Sequence, residues 1–157
     1  MSNRNKVPVI GSACFVVLLF LLLFRQPVIE VSGETDSYFI KEDEFTLGWI
    51  HSIEKEEWYE TYKRDKKNIV LTESRFKTFG AGTPYEAKNT ITEDGFVIMQ
   101  VDITHPELNV TISEKVQTTL CLHNRHIQLY QYFDQYENVI FKVRYLPLWK
   151  YVRGDFL

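Results

Sequence analysis

Phe45-Thr46-Leu47-Gly48-Trp49-Ile50-His51, followed by Trp58-Tyr59-Glu60-Thr61-Tyr62, is the stretch on which the fold reading turns. Phe45, Leu47, Trp49 and His51 alternate with Thr46, Gly48 and Ile50, the period of two that sends successive side chains to opposite faces of a strand. Trp58 to Arg64 is rich in Trp, Tyr and Thr, residues that suit a pleated surface. A charged connection, Glu54–Glu57, separates the two runs.

Working outward, Asp65-Lys66-Lys67-Asn68 reads as a turn into Ile69–Phe79, predicting a hairpin with the Trp58 strand. Tyr85–Thr92 is polar and without period. Asp94-Gly95 marks a tight turn, after which Val97, Met99, Val101 and Ile103 share one face. Pro106 interrupts the chain. Leu108, Val110 and Ile112 alternate, Thr118–Leu122 follows, and Ile127, Leu129 and Phe133 alternate with Gln128, Tyr130 and Tyr132. Asp134–Asn138 is turn-like, and Val139, Phe141, Val143 and Tyr145 close the series. About eight short strands at roughly ten-residue spacing predict an all-β domain, an antiparallel sandwich or barrel-like fold, instead of βαβ units.

Ahead of these strands, Arg4 and Lys6 precede an uncharged run over residues 7–24 that Arg25 ends. As a helix the run would rise roughly 27 Å, enough to cross the hydrocarbon core of a membrane. It closes on Leu-Leu-Leu-Phe-Arg-Gln-Pro, without the small residues of a signal-peptide cut site, and the residues before Cys14 lack the bulky aliphatic of a lipoprotein site. The expectation is an uncleaved single-pass anchor in the cell membrane, with the basic N-terminus cytoplasmic and the remainder extracytoplasmic. Residues 1–25 form the cytoplasmic tip and anchor, residues 26–37 a polar tether containing Pro27 and Gly33, and residues 38–157 the β-domain.

All 21 acidic residues lie beyond Arg25, whereas Arg4, Lys6 and Arg25 itself are drawn from the 18 basic ones, so the outer domain is acidic. It has no basic stripe, which argues against nucleic acid as a partner. Cys14 falls in the apolar run and leaves Cys121 alone outside it. The domain therefore has no internal disulfide to hold it and must rely on its core. Aromatic residues make up 15% of the chain, enough to build one.

His51, Ser52 and Glu60 are the residue types of a base, a nucleophile and an orienting acid. Neighbouring strand residues point to opposite faces, so His51 and Ser52 are poorly disposed to work together, and no Gly-x-Ser-x-Gly elbow exposes a serine. The favoured reading is a half-buried histidine at a strand end, hydrogen-bonded to Glu60 or Tyr62 on the next strand. No coherent catalytic set is found, and the protein is not expected to be an enzyme or to carry a cofactor. His123 and His126, with His105 and Asp102 elsewhere, are better explained as solvated turn residues than as a metal site, since thiolates and repeated ligand spacing are missing. Gly80-Ala81-Gly82-Thr83-Pro84 lacks the ending of a phosphate loop. Its glycines imply a sharp bend or a close approach, and its amides are candidates for holding a carboxylate. Asn109-Val110-Thr111 matches a glycosylation acceptor, a short pattern frequent by chance.

Trp49, His51 and Ser52 at a strand end, Glu60 before Tyr62, Phe76 and Phe79-Gly80-Ala81-Gly82 ahead of Pro84, together with a single N-terminal anchor, resemble a bacterial family catalogued as domain of unknown function 1850. The resemblance covers Phe45 to Pro84 closely and the C-terminal half only in general character. Members are commonly encoded beside tripartite (TRAP-type) transporters that use a solute-binding protein of the TAXI class. The resemblance thus implies an accessory role in transport, with the transporter or its binding protein as partner. It supplies no catalytic residues. The binding candidates are His51, Ser52, Glu60, Gly80, Ala81, Gly82 and Pro84.

Overall fold

The computed structural model describes Phe15, residues 18–123 and residues 125–157. Among these, β1 (Arg25–Ser32), β2 (Ser37–Ile40), β3 (Glu44–Ile50), β4 (Glu57–Asp65), β5 (Asn68–Phe76) and β6 (Asn89–Glu93) make up the first half of the fold. The second half comprises β7 (Phe96–His105), β8 (Leu108–Thr111), β9 (Thr119–Leu122), β10 (Arg125–Gln128) and β11 (Asn138–Pro147), with a short helix, Leu148–Arg153, after β11. One sheet has the order β2-β1-β11-β8 and the other β10-β9-β3-β4-β5-β7-β6. All neighbouring strands in both sheets are antiparallel. The expected all-β architecture is thus a two-sheet sandwich.

The sheets meet through large apolar side chains that alternate inward along each strand. Phe45 of β3 stacks on Phe141 of β11 with ring centroids 5.4 Å apart and planes within 10°. Its other face stacks on Tyr62 of β4, also at 5.4 Å. Ile29, Val31, Ile69, Phe76, Leu120 and Val139 are fully buried around this stack.

The hairpin turns follow the sequence signals. Lys66, at φ +54°, turns β4 into β5, while Asp94 and Gly95, at φ +50° and +78°, join β6 to β7. Two consecutive positive φ values are the signature of a type I′ turn, which matches the twist of the strands it connects. The polar, aperiodic stretch before Asp94 contains β6, an edge strand exposed along its whole length, so no burial pattern marks it.

Two segments depart from expectation. Residues expected to tether the domain, 26–37, instead supply β1 and the first residue of β2. Val28, Ile29 and Val31 are completely buried, and β1 pairs along its whole length with β11. The Ile127–Phe133 run is not one strand: β10 ends at Gln128, and Leu129–Gln131 forms a 3-10 turn that buries Leu129 and Phe133, four residues apart, on one side. The expected membrane anchor, residues 7–24, lies largely outside the described residues. Its end, Leu18–Leu23, is helical and exposed. Among the described residues no helix is long and apolar enough to cross a membrane.

If β1 is a core strand, Ile29→Ala is expected to destabilise the domain by about 2–5 kcal/mol, the cost of emptying a buried aliphatic position. A tether residue would tolerate the change. Urea unfolding followed by tryptophan fluorescence distinguishes the two.

Candidate functional site

His51 follows the last residue of β3, where the chain must reverse into β4. The connection is compact: the His51 N–H donates to the Glu56 carbonyl at 2.8 Å and the Lys55 N–H to the His51 carbonyl at 2.9 Å. Lys55 takes the left-handed conformation, φ +59°, that lets the turn close. This folds Glu54 back onto the imidazole, where its carboxylate meets Nδ1. The other ring nitrogen, Nε2, lies 3.1 Å from the Ala81 carbonyl. A carbonyl can only accept, so Nε2 carries a proton and donates it. The imidazole therefore ties the β3–β4 turn to the glycine-rich turn after β5.

That second turn is sealed by Thr83. Its hydroxyl accepts from the Gly80 N–H at 3.1 Å and donates to the Gly80 carbonyl at 2.8 Å, and its own N–H reaches the same carbonyl at 3.3 Å. Gly82 holds φ +94°, a conformation side-chain-bearing residues rarely adopt. Gly80 serves a different purpose: the Glu54 carboxylate packs where a Cβ would stand, so a larger residue there would push that side chain aside. The close approach expected of this turn is real, but the carboxylate comes from Glu54 of the same chain. Two of the turn's amides, those of Gly80 and Thr83, are spent internally. Ser52 and Ala81 are exposed and Pro84 is half-buried.

Aromatic rings back the clamp. The His51 ring lies 5.2 Å from that of Trp58, Trp58 stacks on Phe76 at 4.5 Å, and Phe79 meets Phe76 edge-on at 5.2 Å. Trp49 stacks beside Trp58 at 6.1 Å.

Glu60 is elsewhere, which corrects the expected pairing of His51 with Glu60 or Tyr62. It stands opposite Leu47 across β3–β4. Four strand residues then separate that position from His51, roughly 13 Å along the strand. His51, Ser52 and Glu60 accordingly do not converge. Along β4, Trp58, Glu60 and Tyr62 face the sandwich interior, while Thr61 faces outward and exchanges a 3.0 Å hydroxyl contact with Thr46. A carboxylate has thus been placed on an otherwise apolar face.

That carboxylate lines a cleft of about 520 Å³ bounded by Leu47 and Trp49 of β3, Glu60 and Tyr62 of β4, His105 at the end of β7, Glu107, Asn109 and Val110 on and beside β8, and Thr118 just before β9. The Tyr62 hydroxyl donates to Glu60 Oε2 at 2.5 Å. Burial pushes the Glu60 carboxyl above the ordinary carboxylate range, opposed by the Tyr62 hydrogen bond, by the nearby Trp58 indole and by His105. Burial likewise raises Tyr62, and the adjacent Glu60 raises it further. The Trp58 N–H helps hold the Glu60 charge without reaching hydrogen-bond geometry, and Ser74 Oγ, opposite Glu60 on β5, is buried without a partner. Glu107 is engaged by Lys142 at 2.6 Å.

The remaining candidates scatter. His126 sits across β9–β10 from Cys121, with Nδ1 3.3 Å from Sγ, and burial raises the thiol so that it stays protonated. Asp102 is paired with Lys88. No cluster of three or more His, Cys, Asp or Glu suited to a metal ion occurs among the described residues. Asn109 is exposed on β8, where Thr111 hydrogen-bonds Asn138. Of the cleft residues, Glu107 and Thr118 carried no sequence signal. Glu60 did, through its parity between Trp58 and Tyr62.

The fold and site define a small β-sandwich domain with clamped loops at one end and an acidic cleft between its sheets. The family model described as Domain of unknown function (DUF1850) matches residues 45–129, and the chain belongs to that family. The matched span includes the clamp, Glu60, and all the strands of the larger sheet save the first residue of β3. No curated protein and no solved structure matches the chain.

Two outcomes follow from this geometry. His51→Ala is expected to lower stability by about 1–3 kcal/mol, the range for stranding buried polar partners such as the Glu54 carboxylate, while Ser52→Ala stays within about 0.5 kcal/mol. Denaturant midpoints of the two variants decide whether the His-Ser pair is a clamp plus a bystander. Glu60 gives a pH signature. Its pKa is higher folded than unfolded, so its contribution is fully present below the ordinary glutamate pKa of 4.5 and is lost as pH rises through the folded pKa. Glu60→Gln should therefore gain stability relative to the parent between acid and neutral pH; parallel stability curves would contradict the burial of this charge.

Proposed function

We propose that the protein is a membrane-anchored extracytoplasmic accessory module that binds a TRAP-type (TAXI) transporter or its solute-binding protein. The observation that carries the anchored reading is the junction between the apolar helix end and the sandwich. Phe24 closes the helix by donating its N–H to the Phe20 carbonyl at 2.8 Å, and β1 begins at the next residue, Arg25. The Phe24 carbonyl in turn accepts from the Leu148 N–H at 3.1 Å, so the C-terminal helix starts beside the exit of the apolar segment.

That helix carries exposed Trp149 and Val152 next to Lys150 and Arg153. Indole, apolar and cationic groups together suit the headgroup layer of a bilayer. Leu18–Phe24 are exposed hydrophobics whose cover would be lipid. The transporter partner rests on the family resemblance alone. A binding role accords with the site, because His51 is committed to the clamp and Glu60 stands apart from it.

Crosslinking the full-length protein in its native membrane is expected to recover a transporter subunit or the binding protein; recovery of other neighbours alone would sink the partner assignment. In vesicles containing brominated lipid, Trp149 is expected to account for most of the quenched tryptophan emission. If Trp149→Phe leaves the quenching unchanged, the helix does not rest on the bilayer.

A further inference from the structure

We propose that the cleft between the sheets is a binding site for a small amphipathic amine, with Glu60 as the counter-ion of its ammonium group. The inference is independent of the transporter assignment and of the membrane anchor. Its basis is the combination of volume, wall chemistry and a half-buried acid on the cleft wall, held by a hydrogen bond from Tyr62. A volume of about 520 Å³ lies within the ordinary range for small-molecule sites, roughly 300–1,000 Å³. Leu47, Trp49 and Val110 supply apolar walls for a hydrocarbon or aromatic body.

The charge of the cleft selects the head group. Tyr62 serves Oε2 of Glu60, the Trp58 indole N–H lies near the carboxylate without completing a hydrogen bond, and Oε1 is left for a ligand. Ionised, that oxygen is an acceptor that an ammonium N–H satisfies with charge assistance. Glu107 adds a second acidic group, already held by Lys142, and His105 stands at the margin. A carboxylate ligand would meet Glu60 with like charge and leave both groups desolvated, whereas an amine neutralises the acid that burial penalises. Trp49 provides an aromatic ring of the kind that favours cations.

The glycine-rich turn, by contrast, already holds Glu54 against Gly80. The cleft is a site separate from that turn, and its walls and charge suit a base.

The test uses full-length protein in detergent micelles, with phenethylamine and hexylamine as probes and 3-phenylpropanoate and hexanoate as their acidic counterparts. Calorimetric titration is expected to show saturable binding of at least one amine and none of the acids. Glu60→Gln should weaken amine binding at least tenfold. Val110→Trp, which fills the cleft from β8 without touching the charge, should abolish it. Circular dichroism and an unfolding midpoint establish that each variant is folded, and a variant that does not fold is replaced by Val110→Phe or Glu60→Met. No saturable binding of either amine to the parent protein, equal binding of the acids, or undiminished binding by folded Glu60→Gln would each overturn the proposal.

Discussion

The ring of Phe45 lies between those of Phe141 and Tyr62, and the two sheets are joined through this sandwich of rings. One neighbour belongs to β11 of the smaller sheet, the other to β4 of the larger. Stacked aromatic pairs contribute about 0.5–1.5 kcal/mol beyond the area they bury, and here the contacts run in series through the core. Tyr62 gives the arrangement its second role. Its ring is fixed by the stack, so its hydroxyl is fixed too, and that hydroxyl meets Glu60. The packing that closes the core also orients the acid that opens onto the cleft.

At the far end of β3 the same economy appears in the loops. The β3–β4 turn closes a hairpin, whereas the glycine-rich turn lies in the β5–β6 connection between strands that do not pair, and the two would move separately if untied. His51 joins them through the hydrogen bond from Nε2 to the Ala81 carbonyl, and the Glu54 carboxylate, packed beside Nδ1, fills the space that Gly80 leaves bare. The conspicuous residues in the sequence, a histidine and two glycines, therefore serve one mechanical junction. The less conspicuous Glu60 lies in the cavity.

What the sequence revealed followed the range of the interactions involved. Alternation along β3 and β7, the strand-forming residues of β4 and the turns at Lys66 and Asp94-Gly95 are local, and each was legible from neighbouring residues. The role of β1 was not. Pro27, Glu30 and Gly33 give it the look of a linker, and the reason it is a strand lies in β11, more than a hundred residues onward. The close approach at Gly80 was readable as a lack of space, but its occupant, Glu54, sits in a charged run that resembled a solvated face. Glu60 was mispaired with His51 because both seemed to belong to adjoining strands. Register decides such contacts: it set Glu60 against Leu47 and moved His51 beyond the end of the ladder. The helical turn at Leu129–Phe133 was misjudged because apolar residues four apart satisfy a strand face and a single turn equally well.

The pairing of β1 with β11 has a consequence for biogenesis. Val31 lies opposite Phe141, so β1 meets its principal partner only after more than a hundred further residues have been made. Such long-range closure makes folding slow and leaves an apolar edge waiting in the meantime. During synthesis β1 is a nascent segment that only β2 can cover early, through a short pairing between Ile29–Ser32 and Ser37–Ile40. Until β11 arrives, the β1 backbone groups that face it have no partner of their own, and the order of synthesis sets when the smaller sheet can close.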